Sequence, residues 1–73
     1  VAVWNSTRLT VGARIRSLRL AREMTQEKLA LTSGVTRNVL IDVEHGRRGL
    51  LYERLFDIAA ALDVPVSELL ESH

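Results

Sequence analysis

The stretch GVTRNVLIDVEHG, residues 34–46, concentrates side chains that can exchange hydrogen bonds. Wound as a helix from Arg37 at about 100° per residue, it divides into two arcs. Val39, Leu40, Val43 and Glu44 fall on one, an ordinary buried stripe apart from its acid. Arg37, Asn38, Ile41, Asp42 and His45 fall on the other. That second face offers a guanidinium fork, an amide that donates and accepts, a carboxylate, an imidazole and a bare aliphatic group. Such a set can read a partner that displays donors, acceptors and methyl groups in rows. Thr25 and Gln26 lie upstream of it and Arg47 and Arg48 downstream, and these are groups that hold anions.

Catalysis and metal binding find little support. Ser72, His73 and Asp63 could be assembled on paper into a hydrolase triad, but two of them sit at a chain end with no pocket-forming sequence around them. Two histidines and no cysteine make no metal site. No cofactor motif is present, and the expectation is a protein that is not an enzyme.

The mixed face needs a scaffold, and the hydrophobic spacing supplies one made of helices. No strand-like alternation, internal repeat or low-complexity tract occurs. Residues 1–9, including Trp4, have no usable period and read as an N-terminal arm, leaving residues 10–73 as the folded domain. Thr10 is a good N-cap for a first helix with Val11, Ile15 and Leu18 on one stripe and Arg19 and Arg22 beside it, ending near Arg22 or Glu23. Thr25 caps a second helix from Gln26 to about Thr32, with Glu27 in its first turn and Leu29 and Ala30 on its inner edge. Ser33-Gly34-Val35 is a tight turn in which Gly34 accepts a positive φ. Thr36 caps the third helix, which stops at Gly46 before a basic loop. A fourth helix, about Leu50 to Leu62, has Leu51, Leu55, Ile58 and Leu62 on its stripe, flanked by Phe56 and Ala59. Pro65 starts a last short helix through Val66, Leu69 and Leu70. The second and third helices are joined by three or four residues containing glycine, the spacing of a helix-turn-helix.

Composition narrows the partners. At 73 residues this is one small domain, and without cysteine it suits a reducing compartment. No apolar run approaches the roughly 20 residues of a membrane span, and the expected location is the cytoplasm. The net charge of +1 hides an asymmetry. Residues 8–48 carry nine basic side chains against four acidic ones, whereas residues 49–73 carry Arg54 against five acids. A polyanion on the first side and something else on the second would match that division.

From Val11 to Leu70 the chain resembles the DNA-binding domain of the Cro/CI repressor-like family, also called Xre-type regulators. VGARIRSLR resembles the first helix, MTQEKLA the second, SGVT the turn, VLIDVEHGRR the third helix and its exit, and LFDIAAALDVPVSELL the last two. The resemblance implies an all-α, five-helix lambda-repressor-like fold with its helix-turn-helix at helices 2 and 3. It also implies that the third helix enters the major groove of double-stranded DNA. On that geometry Thr36, Arg37, Asn38, Ile41 and Asp42 face the bases. Arg can grip guanine, Asn can bridge adenine, and Ile41 can pack on a thymine methyl. Thr25, Gln26, His45, Arg47 and Arg48 face phosphates. In the family, an Arg matching Arg19 and a Glu matching Glu44 form a buried ion pair between helices 1 and 3.

Two positions depart from the family pattern. Glu23 stands where the family often has glycine, at a left-handed helix exit. Asp42 stands where a neutral or basic group usually faces DNA; either it accepts a hydrogen bond from cytosine N4 or a neighbouring arginine holds it away from phosphate. One module of this kind buries only about 600–1,000 Å² on DNA. The expectation is therefore a homodimeric transcriptional regulator, a repressor or autoregulator, on a roughly palindromic operator. Val64, Val66, Leu69 and Leu70 are its expected dimer contacts, and no small-molecule ligand is expected. The alternative is a protein-interaction module or antitoxin-like partner on the same fold, motivated by the acidic half and by Tyr52 and Phe56.

Overall fold

Ile15, Leu29, Leu40, Ile58, Leu62 and Leu69 meet in one core and are fully buried there. The computed structural model describes residues 2–70, with side chains from residue 4 onward. The helices are α1 (Ala2–Ala21), α2 (Gln26–Ser33), α3 (Arg37–Glu44), α4 (Tyr52–Ala61) and α5 (Ser67–Leu70), with no strand among the described residues. This is the all-α, five-helix architecture that the spacing implies. α1 packs on α3 and α5, and α2 packs on α3 and α4, so the two helices of the helix-turn-helix are each braced by another helix.

The ends of α2 and α3 follow from single side chains. Thr25 Oγ1 accepts from the Lys28 backbone N–H at 3.0 Å, and Thr36 Oγ1 accepts from that of Val39 at 3.4 Å. Between them Gly34 takes φ 79° and closes α2 by donating its N–H to the Ala30 carbonyl at 2.9 Å. Val35, inside the turn, is itself buried. α1 exits through Glu23 at φ 55°, with Glu23 N–H donating to Leu20 and Met24 N–H to Arg19. Asp63, at φ 57°, ends α4 in the same way, through Asp63 to Ala60 and Val64 to Ala59.

Several expectations need correction. The stretch read as an arm, residues 1–9, is helical from Ala2, and α1 passes through Thr10 without a break. Thr10 Oγ1 donates back to the Ser6 carbonyl at 3.1 Å instead of capping. Trp4 and Leu9 stay largely exposed, so the segment has no buried stripe for periodicity to reveal. It is helical because extending a docked helix adds one hydrogen bond per residue fixed, without a new nucleus. Leu51 is not on the buried stripe of α4; it is the N-cap and is exposed. α5 begins at Ser67, two residues after Pro65. Ser72 and His73, the imagined triad members, lie outside the described residues.

One packing determinant escaped sequence reasoning. Gly12 is buried where α1 crosses α3, and a methyl group built there would overlap the Val43 carbonyl oxygen. A glycine inside a helical pattern, costly by about 1 kcal/mol relative to alanine, was the available signal.

Candidate nucleic-acid interface

A reading surface must be rigid, and the supports of α3 are ionic as well as apolar. Leu40 and Val43 anchor its inner face in the core. At its C-terminal end Arg19 Nε donates to Glu44 Oε2 at 2.8 Å, and Arg19 Nη2 donates to Glu44 Oε1 at 3.0 Å. Arg19 Nη1 also donates to the Met24 carbonyl at 2.8 Å, so one guanidinium ties α1, the α1–α2 turn and α3 together. The side chains are only 9% and 1% exposed, which makes this a desolvated fork-to-fork pair. Gln26 Nε2 supplies a third donor to Glu44 at 3.1 Å and draws α2 into the same junction. One of the two amide hydrogens of Gln26, expected on a phosphate, is thus engaged within the protein.

With α3 held, its other face is open. Thr36, Arg37 and Asn38 are exposed, and Ile41 and Asp42 are half-buried beside them. Arg37 borders a shallow depression with Thr25, Gln26 and Glu27 at the start of α2. On the opposite flank Thr36, Val39, Arg48 and Arg54 border a second depression between the starts of α3 and α4. The structure therefore brings Thr25, Gln26 and Arg37 together on one side of α3, and Thr36 and Arg48 together on the other. Arg54, paired to Asp57 at 3.2 Å, joins the second group. Sequence reasoning passed over it because it lies on α4, within the acidic half.

The exit of α3 carries the remaining candidates. His45 Nδ1–H donates to the Ile41 carbonyl at 2.8 Å, which orients the exposed ring. Gly46 takes φ 73° and turns the chain back so that Arg47 N–H donates to the Asp42 carbonyl at 2.8 Å. Their side chains meet as well. Arg47 Nε and Nη2 both donate to Asp42 Oδ1, at 3.2 and 3.0 Å. Of the two situations open to Asp42, the free protein contains the arginine-paired one. Arg48 has no such partner among the described residues.

The expected dimer contacts divide differently. Leu69 is fully buried in the chain's own core and is withdrawn from that group, because neighbouring helical residues point about 100° apart and the packing of α5 on α1 turns Leu69 inward and Leu70 outward. Val64 and Val66 pack half-buried against the core. Leu70 is exposed, and so are Leu51, Tyr52 and Phe56 at and after the start of α4. A further pair tied to α5 was not foreseen: Arg14 Nη2 donates to Glu68 Oε2 at 2.8 Å, and Arg14 Nε donates to the Glu68 carbonyl at 3.1 Å. It joins the basic half to the acidic half within one chain.

A short helix presenting arginine, asparagine and isoleucine, braced behind by a second helix across a glycine turn, is the working part of a helix-turn-helix protein. The chain belongs to the helix-turn-helix family HTH_3, whose model matches residues 15–69. It is a DNA-binding transcriptional regulator and not an enzyme. It is 35% identical over 68 residues to the control protein C.BamHI of Bacillus amyloliquefaciens, covering 92% of this chain and 84% of that protein. It is 36% identical over 61 residues to the immunity repressor protein of Bacillus phage phi105; that match covers 84% of this chain and 42% of the repressor. Among solved structures it resembles the restriction-modification controller protein C.AhdI from Aeromonas hydrophila. The TM-score is 0.85 at 36% identity, over 88% of this chain and 97% of that one.

Proposed function

We propose that this protein is a sequence-specific repressor or autoregulator that binds a roughly palindromic operator as a homodimer, with α3 of each copy in the major groove. The observation that carries this reading is the exposed Thr36-Arg37-Asn38 start of a helix whose opposite face is locked by the Arg19–Glu44 pair. Arg37 and Asn38 supply bidentate readers and Ile41 an apolar contact to thymine. Thr25, the second amide hydrogen of Gln26, His45 and Arg48 supply phosphate contacts around the rim, whereas Arg47, also expected there, is engaged by Asp42 in the free protein. The similarity to a control protein and to a restriction-modification controller protein favours regulation by the protein's own concentration, in the cytoplasm, rather than by a small ligand. No described helix is long and apolar enough to cross a membrane. Pairing through the acidic half draws support from the exposed apolar side chains Leu51, Tyr52, Phe56 and Leu70.

The test is selection of duplexes from a randomised pool, followed by titration of the selected duplex and a random one. The unaltered protein should enrich a sequence with two-fold symmetry. Arg37→Ala with Asn38→Ala should abolish the preference while leaving much of the random-DNA binding, since each bidentate base contact is worth about 1–3 kcal/mol of discrimination. An unchanged selected sequence in the double variant would refute the assignment of α3 as the reader.

A further inference from the structure

Asp42 and Arg47 are joined twice, through the backbone at the Gly46 turn and through their side chains. The distribution of those contacts over the atoms is uneven. Both arginine donors converge on Oδ1, while Oδ2 of Asp42 and Nη1 of Arg47 have no hydrogen bond among the described residues. Asp42 lies on the same arc of α3 as Asn38 and Ile41, and Arg47 lies at the rim. An acid alone on that arc would be driven from DNA by the phosphates, and an arginine alone would bind phosphate regardless of sequence. Joined, they present one acceptor and one donor at no net charge.

We propose that Asp42 and Arg47 act as a single specificity-determining unit. Arg47 holds the Asp42 carboxylate so that Oδ2 accepts a hydrogen bond from a major-groove amine, cytosine N4. Asp42 in turn withholds Arg47 from phosphates on DNA that lacks that amine. Asp42 is then the reading residue and Arg47 its positioning residue. This rests on the reading of α3 as the groove-facing helix and adds to it a device for rejecting the wrong sequence. The pair lies at the surface, with the Arg47 side chain 58% and the half-buried Asp42 side chain 43% accessible, so it opens easily and its effect appears in DNA binding rather than in stability.

The test compares the unaltered protein, Asp42→Asn, Arg47→Gln and the double variant. Each is titrated by fluorescence anisotropy at several salt concentrations against the duplex that the unaltered protein selects and against a random duplex. Asp42→Asn frees Arg47 for one further phosphate. Its binding to random DNA should steepen by about 0.9 in the slope of log affinity against log salt, and should tighten about eightfold at 0.1 M salt. Preference at one base pair should move from cytosine toward adenine, the base an amide suits. Adding Arg47→Gln should cancel the gain on random DNA. Equal tightening of random-DNA binding with and without Arg47 would overturn the proposal, because Asp42 would then repel phosphates without acting through Arg47. So would an Asp42→Asn variant with an unchanged selected sequence. Failure of the α3 reading itself is separately visible, since Arg37→Ala with Asn38→Ala would then leave the selected sequence intact.

Discussion

Replacing Arg19 with alanine isolates the junction that fixes α3. The change removes two charge-assisted hydrogen bonds to Glu44 and one to the Met24 carbonyl. It leaves a carboxylate that is 1% exposed with a single remaining donor, Gln26 Nε2. Stripping one partner from a buried pair costs about 3–5 kcal/mol. At roughly 0.05–0.15 kcal/mol per residue, a domain of this length has about 4–11 kcal/mol in total. Arg19→Ala should therefore lose a large share of the domain's stability, read as helical circular dichroism during urea titration. With a slope near 1 kcal/mol per molar, typical of small domains, the midpoint should fall by about 3–5 M. Because that variant could unfold outright, Arg19→Met with Glu44→Leu provides the counterpart. Removing both charges with apolar groups of similar size should recover most of the loss. A single variant that loses less than about 1 kcal/mol, or a double variant no better than the single one, would refute the idea that a desolvated charge pair holds α1 to α3.

Gly12→Ala should lower the melting temperature: the added methyl meets a backbone carbonyl that cannot rotate away, and overpacking of about 1–3 kcal/mol outweighs the helix-propensity gain of roughly 1 kcal/mol. Glu23→Gly should do the opposite, by about 1 kcal/mol, because φ 55° is strained for any residue with a Cβ; calorimetry would register a rise of several degrees. Sedimentation at micromolar concentration should show a dimer that Phe56→Asp converts to folded monomers, whereas a monomeric unaltered protein would contradict stable pairing in the absence of DNA.

Much of the scaffold was legible because local chemistry decides it. Thr25 and Thr36 cap the helices they were expected to cap, and Gly34 and Gly46 take the positive φ that their turns require. Ile15, Leu29, Leu40, Ile58 and Leu62 lie on the apolar faces that the 3.6-residue period marks on their respective helices, and all are buried. The mixed polar arc of α3 was equally visible, since residues on one turn of a helix have no choice about which neighbours they face.

What the chain alone left open depended on contacts between segments far apart in sequence. The helical state of the first residues is inherited from the docked part of α1 and has no signature of its own. Leu69 and Leu70 are equally apolar, and only the packing of α5 on α1 buries the first and exposes the second. Gln26 spends part of its amide on Glu44, 18 residues away, and Arg14 reaches Glu68, 54 residues away. The state of Asp42 was open for the same reason at shorter range. Spacing put Arg47 one turn beyond it, but the left-handed step at Gly46 folded the arginine back onto the acid. Spacing along one helix is set by covalent geometry, whereas the partner of a long polar side chain is set by where the other helices dock.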